Sequence, residues 1–400
     1  MNMPARNSPA TGMCDAAVAV DLALAQMDAR VDWLSRLTPI NVAEIWEGFV
    51  RSNYREMPAS RFAEGLQRDA PALREALFAL PVEDIQNRLV QALLLEKQRE
   101  IDRQIELVSM RGRSGFILAS MDLFGHASER LLATAEEVLE KVPVFPDDEC
   151  DAGAAEMAAA ARAEVARTRA QHPDFACEVI LDPHPGVSLY VSAGNLHIAS
   201  DYATPTSRID PLIQHEIGTH AISRHNGRRQ PLKVLAGGLA DYDELQEGLA
   251  VLAEYLAGYF PAERLRTLAA RVIAADMAVR EAMGPEIFAC LVEEHAIPHD
   301  TAFDTALRAK RGGGLTKDAL YLKGLAELLA YLARGGDLEV LMLGKFALKH
   351  LHTIEQLLAE GVLVPPEILP SFLTDGAATQ RLAEARETPL HALFHESPAA

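Results

Sequence analysis

The chain has 400 residues, of which 49% are apolar, enough for one large or two ordinary domains with a buried core. Its formal net charge of −19 argues against nucleic acids and anionic membranes as partners, because both bind clustered Lys and Arg. The sequence contains neither a signal-peptide pattern nor an apolar run that could span a bilayer, so we expect a cytoplasmic protein. The cysteines lie far apart without a CxxC pair, which predicts reduced thiols rather than disulfides or a thiolate zinc site: Cys14, Cys150, Cys177 and Cys290.

The first third of the chain is predicted to be helical. We expect residues 1–17 to be a disordered start and residues 18–145 to form a helical N-terminal region, because apolar positions recur at spacings of three and four. A long helix is predicted from about Val82 to Met110. One of its faces is charged, and we interpret this face as solvated rather than as a docking surface: Glu96, Lys97, Arg99, Glu100 and Arg103. Prolines and an acidic run predict a boundary near residue 145, followed by a second region over residues 146–400.

A small sheet is predicted after the boundary. An Ala-rich helix over about residues 151–171 precedes three short β-prone runs, at 177–181, 188–192 and 195–198, which Pro and Gly separate. An exposed edge strand can bind an extended peptide through main-chain hydrogen bonds, and Val191–Leu196 is the candidate edge. A simple hairpin turn at Ser192–Asn195 is an equally open interpretation, and the two are compatible.

The run His215-Glu216-Ile217-Gly218-Thr219-His220 contains the side chains that a catalytic zinc site needs. Such a site has three protein ligands and an open position for water, and a Glu beside the first His accepts the proton of that water. We therefore predict that His215 and His220 bind Zn2+ and that Glu216 is the catalytic base. Five residues rotate the second ring about 140° from the first on a regular helix. Both rings can face one metal only if the helix is distorted, and a π-bulge around Gly218 would accommodate the extra residue.

A third metal ligand is predicted about thirty residues downstream. Glu247 lies in the run Gln246-Glu247-Gly248-Leu249-Ala250, near the start of a largely apolar helix that extends, with breaks, to about residue 294. A carboxylate buried there should be paired or metal-bound. Glu244 and Glu254 flank it at helical spacings, and each is left open as a supporting or a solvated acid. His225 has the spacing of the third ligand in an HExxHxxGxxH site, but the glycine of that pattern is missing, so it is a weak candidate.

A glycine triplet at residues 312–314 marks a second candidate site. Glycines let the backbone approach a ligand closely, and the flanking Arg311 and Lys317 could bind a substrate carboxylate, the Arg through two parallel hydrogen bonds. Thr316 and Asp318 stand where a helix N-cap is expected. On these residues alone, a glycine turn that caps a helix with solvated charges is the plainer alternative.

Two more side chains are candidates for the site. Tyr321 follows Lys317 by four residues, so the two share one face of a helix. A phenol near the metal could stabilise the oxyanion that forms when a peptide carbonyl is attacked, whereas an ordinary half-buried aromatic is the alternative. Lys345, next to Gly344, is a weaker candidate for binding substrate.

Together these motifs resemble a known peptidase family, over about residues 35–375. The matching stretches are Val191–Leu196, Arg208–His220, Gln246–Ala250, Arg311–Asp318, Gly344–Lys345 and His352–Ile354. They are similar to the tyrosine carboxypeptidase family, which includes the eukaryotic tubulin-detyrosinating enzymes and bacterial proteins labelled "flavohemoglobin expression-modulating QEGLA motif". The resemblance implies a zinc metallopeptidase with His215, His220 and Glu247 as ligands and Glu216 as catalyst. Eukaryotic members often have Glu in place of Gln246, which is not a ligand position.

We therefore expect an α+β, mainly helical fold with a small β-sheet beside the HExxxH active-site helix. The expected activity is that of a zinc carboxypeptidase acting on a peptide or protein C-terminus, and the resemblance suggests tyrosine as the released residue. The substrate of the eukaryotic members, an acidic tubulin tail that ends in tyrosine, is less transferable to this chain. The chain is itself acidic and would repel such a tail except inside a local basic pocket. Two alternatives stay open: a metal-binding regulatory protein with a structural or vestigial zinc site, and a zinc hydrolase of another small amide. The choice between exopeptidase and endopeptidase and the oligomeric state also stay open.

Overall fold

The computed structural model describes residues 13–145, 149–183 and 188–396. Over these residues the chain is mainly helical and carries a small β-sheet, which confirms the predicted α+β class. The helices before residue 145 are α1 (Asp15–Val31), α2 (Trp33–Leu37), α3 (Val42–Arg51), α4 (Ala70–Phe78), α5 (Arg88–Ser109), α6 (Phe116–Phe124) and α7 (Glu129–Lys141).

Two of the predicted boundaries adjoin residues outside the described ranges. The predicted disordered start over residues 1–17 falls mostly on residues 1–12, which lie outside them. It is wrong for residues 15–17, because α1 begins at Asp15. The predicted division near residue 145 adjoins residues 146–148, which also lie outside them. That division therefore stays a prediction.

The long N-terminal helix is shorter and more deeply buried than expected. A 3-10 turn at Val82–Asp84 precedes α5, which begins at Arg88. The interpretation of its charged face as solvated is wrong for Lys97 and Glu100, which are 1% and 2% exposed. The ammonium group of Lys97 lies 2.7 Å from Glu100 and 2.8 Å from Asp28 on α1. Because buried charges need partners, this part of the charged face joins two helices instead of facing solvent.

A small mixed sheet follows the Ala-rich helix. The elements are β1 (Ala152–Gly153), α8 (Ala154–Gln171), β2 (Val179–Asp182), β3 (Leu189–Ser192), β4 (Asn195–Ala199) and β5 (Ala203–Thr204). The sheet order is β2-β4-β3, with β2 parallel and β3 antiparallel to β4, while β1 pairs with β5. β3 and β4 form the predicted hairpin, whose turn residues Ala193 and Gly194 have φ angles of 51° and 91°. The edge predicted over Val191–Leu196 is correct only on β3, because β4 is paired on both sides.

The remaining helices follow this sheet in the chain, and the π-helix among them packs against β3 and β4. They are α9 (Ile209–Ile213), a π-helix (Gln214–Ala221), α10 (Ile222–Arg229), α11 (Val234–Gly237), α12 (Asp243–Ala257), α13 (Ala262–Val279), α14 (Gly284–Glu293), α15 (His299–Ala309), α16 (Leu320–Ala333), α17 (Leu338–Leu341), α18 (Leu351–Ala359), α19 (Ser371–Thr374) and α20 (Gly376–Ala385). None of the helices in the described ranges has the length and apolar character needed to cross a membrane.

α12 is held close to α16 by two glycines. A Cβ atom on Gly324 would lie 1.9 Å from the carbonyl oxygen of Glu244, and one on Gly248 would lie 2.5 Å from the backbone of Gly324. Any side chain at either position would push the two helices apart. The glycine of the Gln246–Ala250 motif therefore sets the position of the helix that carries Glu247.

The N-terminal helices also contact this second part of the chain. Asp21 on α1 is 1% exposed, and its carboxylate accepts hydrogen bonds from the backbone N–H groups of Lys233 and Val234 at 2.6 and 2.9 Å. These donors lie at the start of α11, where N–H groups lack partners within the helix. α1 thus supports the segment that leads into α12.

Candidate metal centre

The two histidines of the HExxxH motif lie on the π-helix, Gln214–Ala221. A π-helix adds one residue to a turn, and this brings side chains five positions apart toward the same face. The ring centroids of His215 and His220 are 5.1 Å apart, with an interplanar angle of 79°. The Thr219 hydroxyl donates a hydrogen bond to the carbonyl of Gln214, also five residues away, at 3.1 Å. The predicted distortion around Gly218 is confirmed.

His215, His220 and Glu247 come together at the crossing of the π-helix and α12. Each offers one donor atom, and the three atoms lie within 4.8 Å of one another. His220 Nε2 is 3.8 Å from Glu247 Oε2, a buried oxygen that has no hydrogen-bond partner among the described residues. Such an oxygen is costly unless a ligand binds it. Two imidazoles and a carboxylate form a donor set that suits zinc, so these residues fit the metal that the sequence predicts.

Glu254, left open as a supporting or a solvated acid, lies behind His215. Its fully buried carboxylate is 2.8 Å from His215 Nδ1, which leaves Nε2 as the ring nitrogen available to a metal. Arg208 and Arg264 approach the same carboxylate at 2.7 and 2.9 Å. Burial acts to raise the pKa of Glu254, but the two guanidinium groups outweigh it and hold the pKa well below its usual range. Glu244, by contrast, pairs with Lys323 at 2.6 Å.

Glu216 is buried beside the histidine pair. Burial raises its pKa to about 7, and the nearby carboxylates of Glu247 and Glu254 act in the same direction, while His215 opposes them. A hydrogen bond from the backbone of Val191, on the edge strand β3, also acts to lower the pKa of Glu216. A carboxyl group with a pKa near neutrality can both accept and return a proton.

Lys317 lies against the predicted metal ligand. Its ammonium group is 2.8 Å from Glu247 Oε1 and 3.3 Å from Asp243. Burial acts to raise the pKa of Glu247, but the charge of Lys317 and those of the two histidines outweigh it and lower that pKa to about 2. The geometry therefore does not favour Lys317 as a free receptor for a substrate carboxylate, since two carboxylates of the protein already bind it.

The glycine triplet packs against the N-terminal region. Gly312, Gly313 and Gly314 have φ angles of 66°, 129° and 129°. A Cβ atom on Gly312 would lie 2.4 Å from Phe116, and one on Gly314 would lie 2.7 Å from Ile117, both on α6. The sequence predicted that the glycine backbone would approach a ligand closely. In the structure it approaches helix α6 of the same chain instead.

The two residues expected to cap a helix after the triplet have other partners. The Thr316 hydroxyl lies 3.0 Å from that of Ser120 on α6. Asp318 receives two hydrogen bonds from the guanidinium group of Arg308. The N-cap expectation is wrong for both side chains, because contacts with distant residues replace the local ones.

Arg311 and Tyr321 lie around this arginine–aspartate pair. Arg311 is 5% exposed, and burial, followed by the charge of Arg308, lowers its pKa to about 10. The ring centroid of Tyr321 is 5.3 Å from Lys317 Nζ and 5.0 Å from the guanidinium carbon of Arg271. Burial raises the pKa of the Tyr321 phenol, and the charge of Glu247 adds to the rise. Tyr321 is therefore on the side of the site where Lys317 meets Glu247.

Lys345 is half-buried on another side of the site. Its ammonium group lies 5.5 Å from the ring centroid of Tyr242. Burial lowers its pKa to about 8 and nearby Arg224 acts in the same direction, whereas the charges of Asp243 and Glu247 oppose them. Lys345 is therefore close enough to interact electrostatically with Asp243 and Glu247.

Comparison with known proteins identifies the family. Residues 47–388 match the sequence model described as Microtubule-associated tyrosine carboxypeptidase. The chain belongs to this family. Microtubule-associated tyrosine carboxypeptidase 1 of Rattus norvegicus is 31% identical over 181 residues, which are 42% of this chain and 36% of that protein. The match thus spans about a third of the length of the curated relative.

A solved structure also resembles the chain. The crystal structure of a protein described as a lipoprotein from Colwellia psychrerythraea has a TM-score of 0.42 and 12% sequence identity, and the likeness covers 79% of this chain and 72% of that one. The name of the microtubule-associated tyrosine carboxypeptidase family denotes hydrolases of peptide C-termini. The segment of this chain that matches the family contains every candidate site residue predicted from the sequence, from His215 to Lys345.

A single histidine and one further group of possible ligands lie outside the triad of this family member. His225, a weak candidate, is buried, and its ring packs against Phe175 with a centroid distance of 5.5 Å. Cys290, Glu294 and His295 bring three donor atoms within 4.8 Å of one another at the end of α14. Glu294 is exposed there, whereas the three carboxylates near the His215–His220 pair, Glu216, Glu247 and Glu254, are buried. The second group is thus a surface cluster that a metal assay has to control for.

Sequence reasoning missed several polar residues of the centre. Arg224 follows His220 by four residues and Asp243 precedes Glu247 by four, so helical spacing places each on the same face as a predicted ligand. That spacing was the available signal. Arg208 and Arg264 are the partners of Glu254. Their sequence positions gave no such signal, because their contacts with Glu254 join separate segments of the chain.

Proposed function

We propose that this chain is a zinc-dependent carboxypeptidase that releases the C-terminal residue of a peptide or protein, with tyrosine, the residue in the family's name, as first candidate. The observation that carries the proposal is the group of His215, His220 and Glu247 donor atoms within 4.8 Å, one of them a buried carboxylate oxygen without a partner. Catalytic zinc peptidases use such a ligand set. When bound, zinc would supply a Lewis acid that polarises a carbonyl group and acidifies water.

Glu216 is proposed as the general base and acid. Its carboxyl group would accept the proton of the water that attacks the peptide carbonyl and would then pass it to the departing amine. A pKa raised to about 7 by burial suits both steps near neutral pH. The edge strand β3 packs against the π-helix that carries Glu216, and the backbone of Val191 acts to lower the pKa of its carboxyl group. An extended substrate beside β3 would therefore lie next to Glu216.

Tyr321 and Lys317 are proposed to support the reaction from the other side. Because burial and the charge of Glu247 raise the pKa of Tyr321, its phenol stays protonated at neutral pH and can donate a hydrogen bond to the developing oxyanion. Lys317 would act through Glu247, by keeping that carboxylate ionised. Arg311 lies beside Arg308 and Asp318, and we propose for it a part in ordering the helix that carries Tyr321.

The decisive experiment compares wild type with Glu216→Gln. Zinc content is measured by mass spectrometry, and hydrolysis is measured on a short peptide that ends in tyrosine. We expect both proteins to hold one zinc ion and the variant to lose about 10²- to 10⁴-fold in kcat/KM, because the positioned proton acceptor is gone. Glu244→Gln, at a partly buried carboxylate of α12 that pairs with Lys323, is the matched control and should keep full activity.

Three results would speak against the proposal. Full zinc content with unchanged hydrolysis in Glu216→Gln would overturn the hydrolase, and the absence of hydrolysis in wild type would favour the alternative of a metal-binding regulatory protein. Zinc that is lost from Cys290→Ser but retained by His220→Ala would place the metal at the surface cluster on α14 instead.

A further inference from the structure

The cations around the donor triad divide into paired and unpaired groups. Lys317 is held by Glu247 and Asp243, and Arg208 and Arg264 are held by Glu254. Arg271 and Arg311 form no ion pair among the described residues, and the Nε atom of each is buried without a partner there, but both lie near Asp318 and help to lower its pKa. Lys345 and Arg224 form no ion pair with any carboxylate among the described residues. A half-buried cation without a partner is the natural complement of an anionic ligand.

The backbone of Lys345 is fixed in place. Its N–H donates to the carbonyl of Leu235 at 2.9 Å, and its own carbonyl accepts from the N–H of Leu239 at the same distance. Gly344 before it lies against Leu235, where a Cβ atom would be 3.0 Å from the Leu235 side chain. The ammonium group is therefore presented from a rigid segment, over the ring of Tyr242.

Arg224 lies one helical turn beyond His220, on α10. Its side chain crosses the turn of the β3–β4 hairpin, where a Cβ atom on Gly194 would lie 3.2 Å from Arg224 Cδ and 3.3 Å from Nε. One guanidinium nitrogen reaches the carbonyl of Ala236 at 3.4 Å, a long hydrogen bond, and Nε is buried without a partner among the described residues. The arginine thus retains most of its hydrogen-bonding capacity.

The two unpaired cations are near each other and near the catalytic groups. Both lie against the segment before α12: Arg224 reaches the carbonyl of Ala236 at 3.4 Å, and the backbone of Lys345 pairs with Leu235 and Leu239 at 2.9 Å. The charge of Arg224 also acts to lower the pKa of Lys345. Glu216, Glu247 and Asp243 act on Lys345 in the opposite direction. Lys345, over the ring of Tyr242 next to Asp243, is therefore close to both Arg224 and the acidic groups of the site.

We infer that Arg224 and Lys345 together bind the α-carboxylate of the substrate's C-terminal residue. The planar guanidinium group of Arg224 can engage both carboxylate oxygens, and the ammonium group of Lys345 can bind one of them from the Tyr242 side. This inference rests on the proposed carboxypeptidase function and replaces Arg311 and Lys317 as the receptor. It also predicts an exopeptidase, because an internal peptide bond offers no carboxylate at this point.

The inference is tested by binding in the Glu216→Gln background, where hydrolysis does not interfere. The probe is a fluorescently labelled short peptide that ends in tyrosine, either as the free acid or as the amide, and anisotropy gives the two Kd values. We expect the free acid to bind about 10- to 100-fold more tightly, as a charge-assisted hydrogen-bonded contact requires. Adding Arg224→Gln or Lys345→Gln should bring the two Kd values together by weakening the acid alone.

Arg228→Gln is the matched control, because Arg228 is exposed and lies one turn further along α10. Circular dichroism and zinc content identify any variant that fails to fold. If one of Arg224→Gln and Lys345→Gln does not fold, the other substitution tests the inference. Equal affinity for acid and amide, no measurable binding of either, or an acid preference that survives both Arg224→Gln and Lys345→Gln would overturn the inference. An acid preference that both substitutions remove, in a protein whose wild type hydrolyses neither peptide, would keep this receptor and refute the proposed function.

Discussion

Two lysine ammonium groups lie near the ring of Tyr242, and only one of them has carboxylate partners. Lys97 Nζ is 6.0 Å from the ring centroid, 2.8 Å from Asp28 and 2.7 Å from Glu100. Lys345 Nζ is 5.5 Å from the same centroid and has no ion-pair partner in the described part of the chain. Lys97 faces the N-terminal helices, whereas Lys345 faces the donor triad.

The difference separates a structural charge from one that is available to a ligand. Burial acts to lower the pKa of Lys97, but Asp28 and Glu100 outweigh it and raise the pKa above its usual value. For Lys345 the burial effect dominates, and the pKa falls to about 8. Removing an ammonium group from water costs several kcal/mol unless an anion offsets it. In Lys97 the protein supplies that anion, and in Lys345 we infer that the substrate does.

Replacing Lys97 by Met should have the largest effect on stability. At pH 8 we expect the free energy of unfolding to fall by about 3–5 kcal/mol, because Asp28 and Glu100 would stay together without their shared cation. Urea unfolding followed by circular dichroism measures the change. The control is Lys141→Met, since Lys141 forms an exposed pair with Glu137 that contributes less than about 1 kcal/mol. If Lys97→Met lowered the free energy of unfolding by less than about 1 kcal/mol, the ion pairs of Lys97 with Asp28 and Glu100 would not be what stabilises this contact.

A paired carboxylate can also act on the metal, and Glu254→Gln tests this. Glu254 is fully buried against His215, Arg208 and Arg264. An amide would weaken its hold on the His215 ring, so we expect the affinity for zinc to fall about 10- to 100-fold. Competition with a chelating dye measures the affinity. Glu244→Gln on the same helix should leave it unchanged, and an unchanged affinity in Glu254→Gln would restrict Glu254 to a structural part.

The sequence predicts best what depends on local spacing. The His215–His220 interval requires a distorted helix, and the π-helix has that form. Short β-prone runs between Pro and Gly indicated the three strands of the β2-β4-β3 sheet to within two residues, whereas the short pair β1 and β5 was not predicted. The acidic start and apolar continuation of the helix at Glu247 indicated its burial. Each of these patterns is complete within a single element.

Contacts between distant segments were not predictable in the same way. The pattern around the glycine triplet suited a ligand loop, yet its neighbours are Phe116 and Ile117 on α6, about two hundred residues earlier in the chain. Lys97 looked solvated, because nothing in its own helix shows that Asp28 approaches it. Lys317 looked free for the same reason. The role of a buried charge can be assigned only when all its partners are known, and Asp28 and Glu247 lie on other helices than the lysines they pair with.

Binding of a free-acid peptide should weaken as the pH rises through about 8. The pKa of Lys345 is lowered to about 8 in the free protein, and a bound carboxylate would raise it, so the charged form that binds is lost above that pH. We expect up to about a tenfold change in Kd per pH unit above 8 and a flat profile between 6 and 7. The measurement uses the Glu216→Gln variant with free-acid and amide probes, since only the acid should respond. Lys345→Arg should move the loss to higher pH, and identical profiles for both proteins would exclude Lys345 as the titrating group.

The smallest predicted effect is the stability change in Lys345→Met, which is the direct counterpart of Lys97→Met. A lysine whose pKa is lower in the folded chain than in the unfolded chain binds protons less readily when folded, so its charge opposes folding below about pH 8. Removing that charge at pH 7 should leave the free energy of unfolding unchanged or raise it by about 1 kcal/mol. Urea unfolding of the two variants side by side provides the measurement. A loss comparable to that of Lys97→Met would mean that the protein itself compensates Lys345, and the two lysines would then be alike.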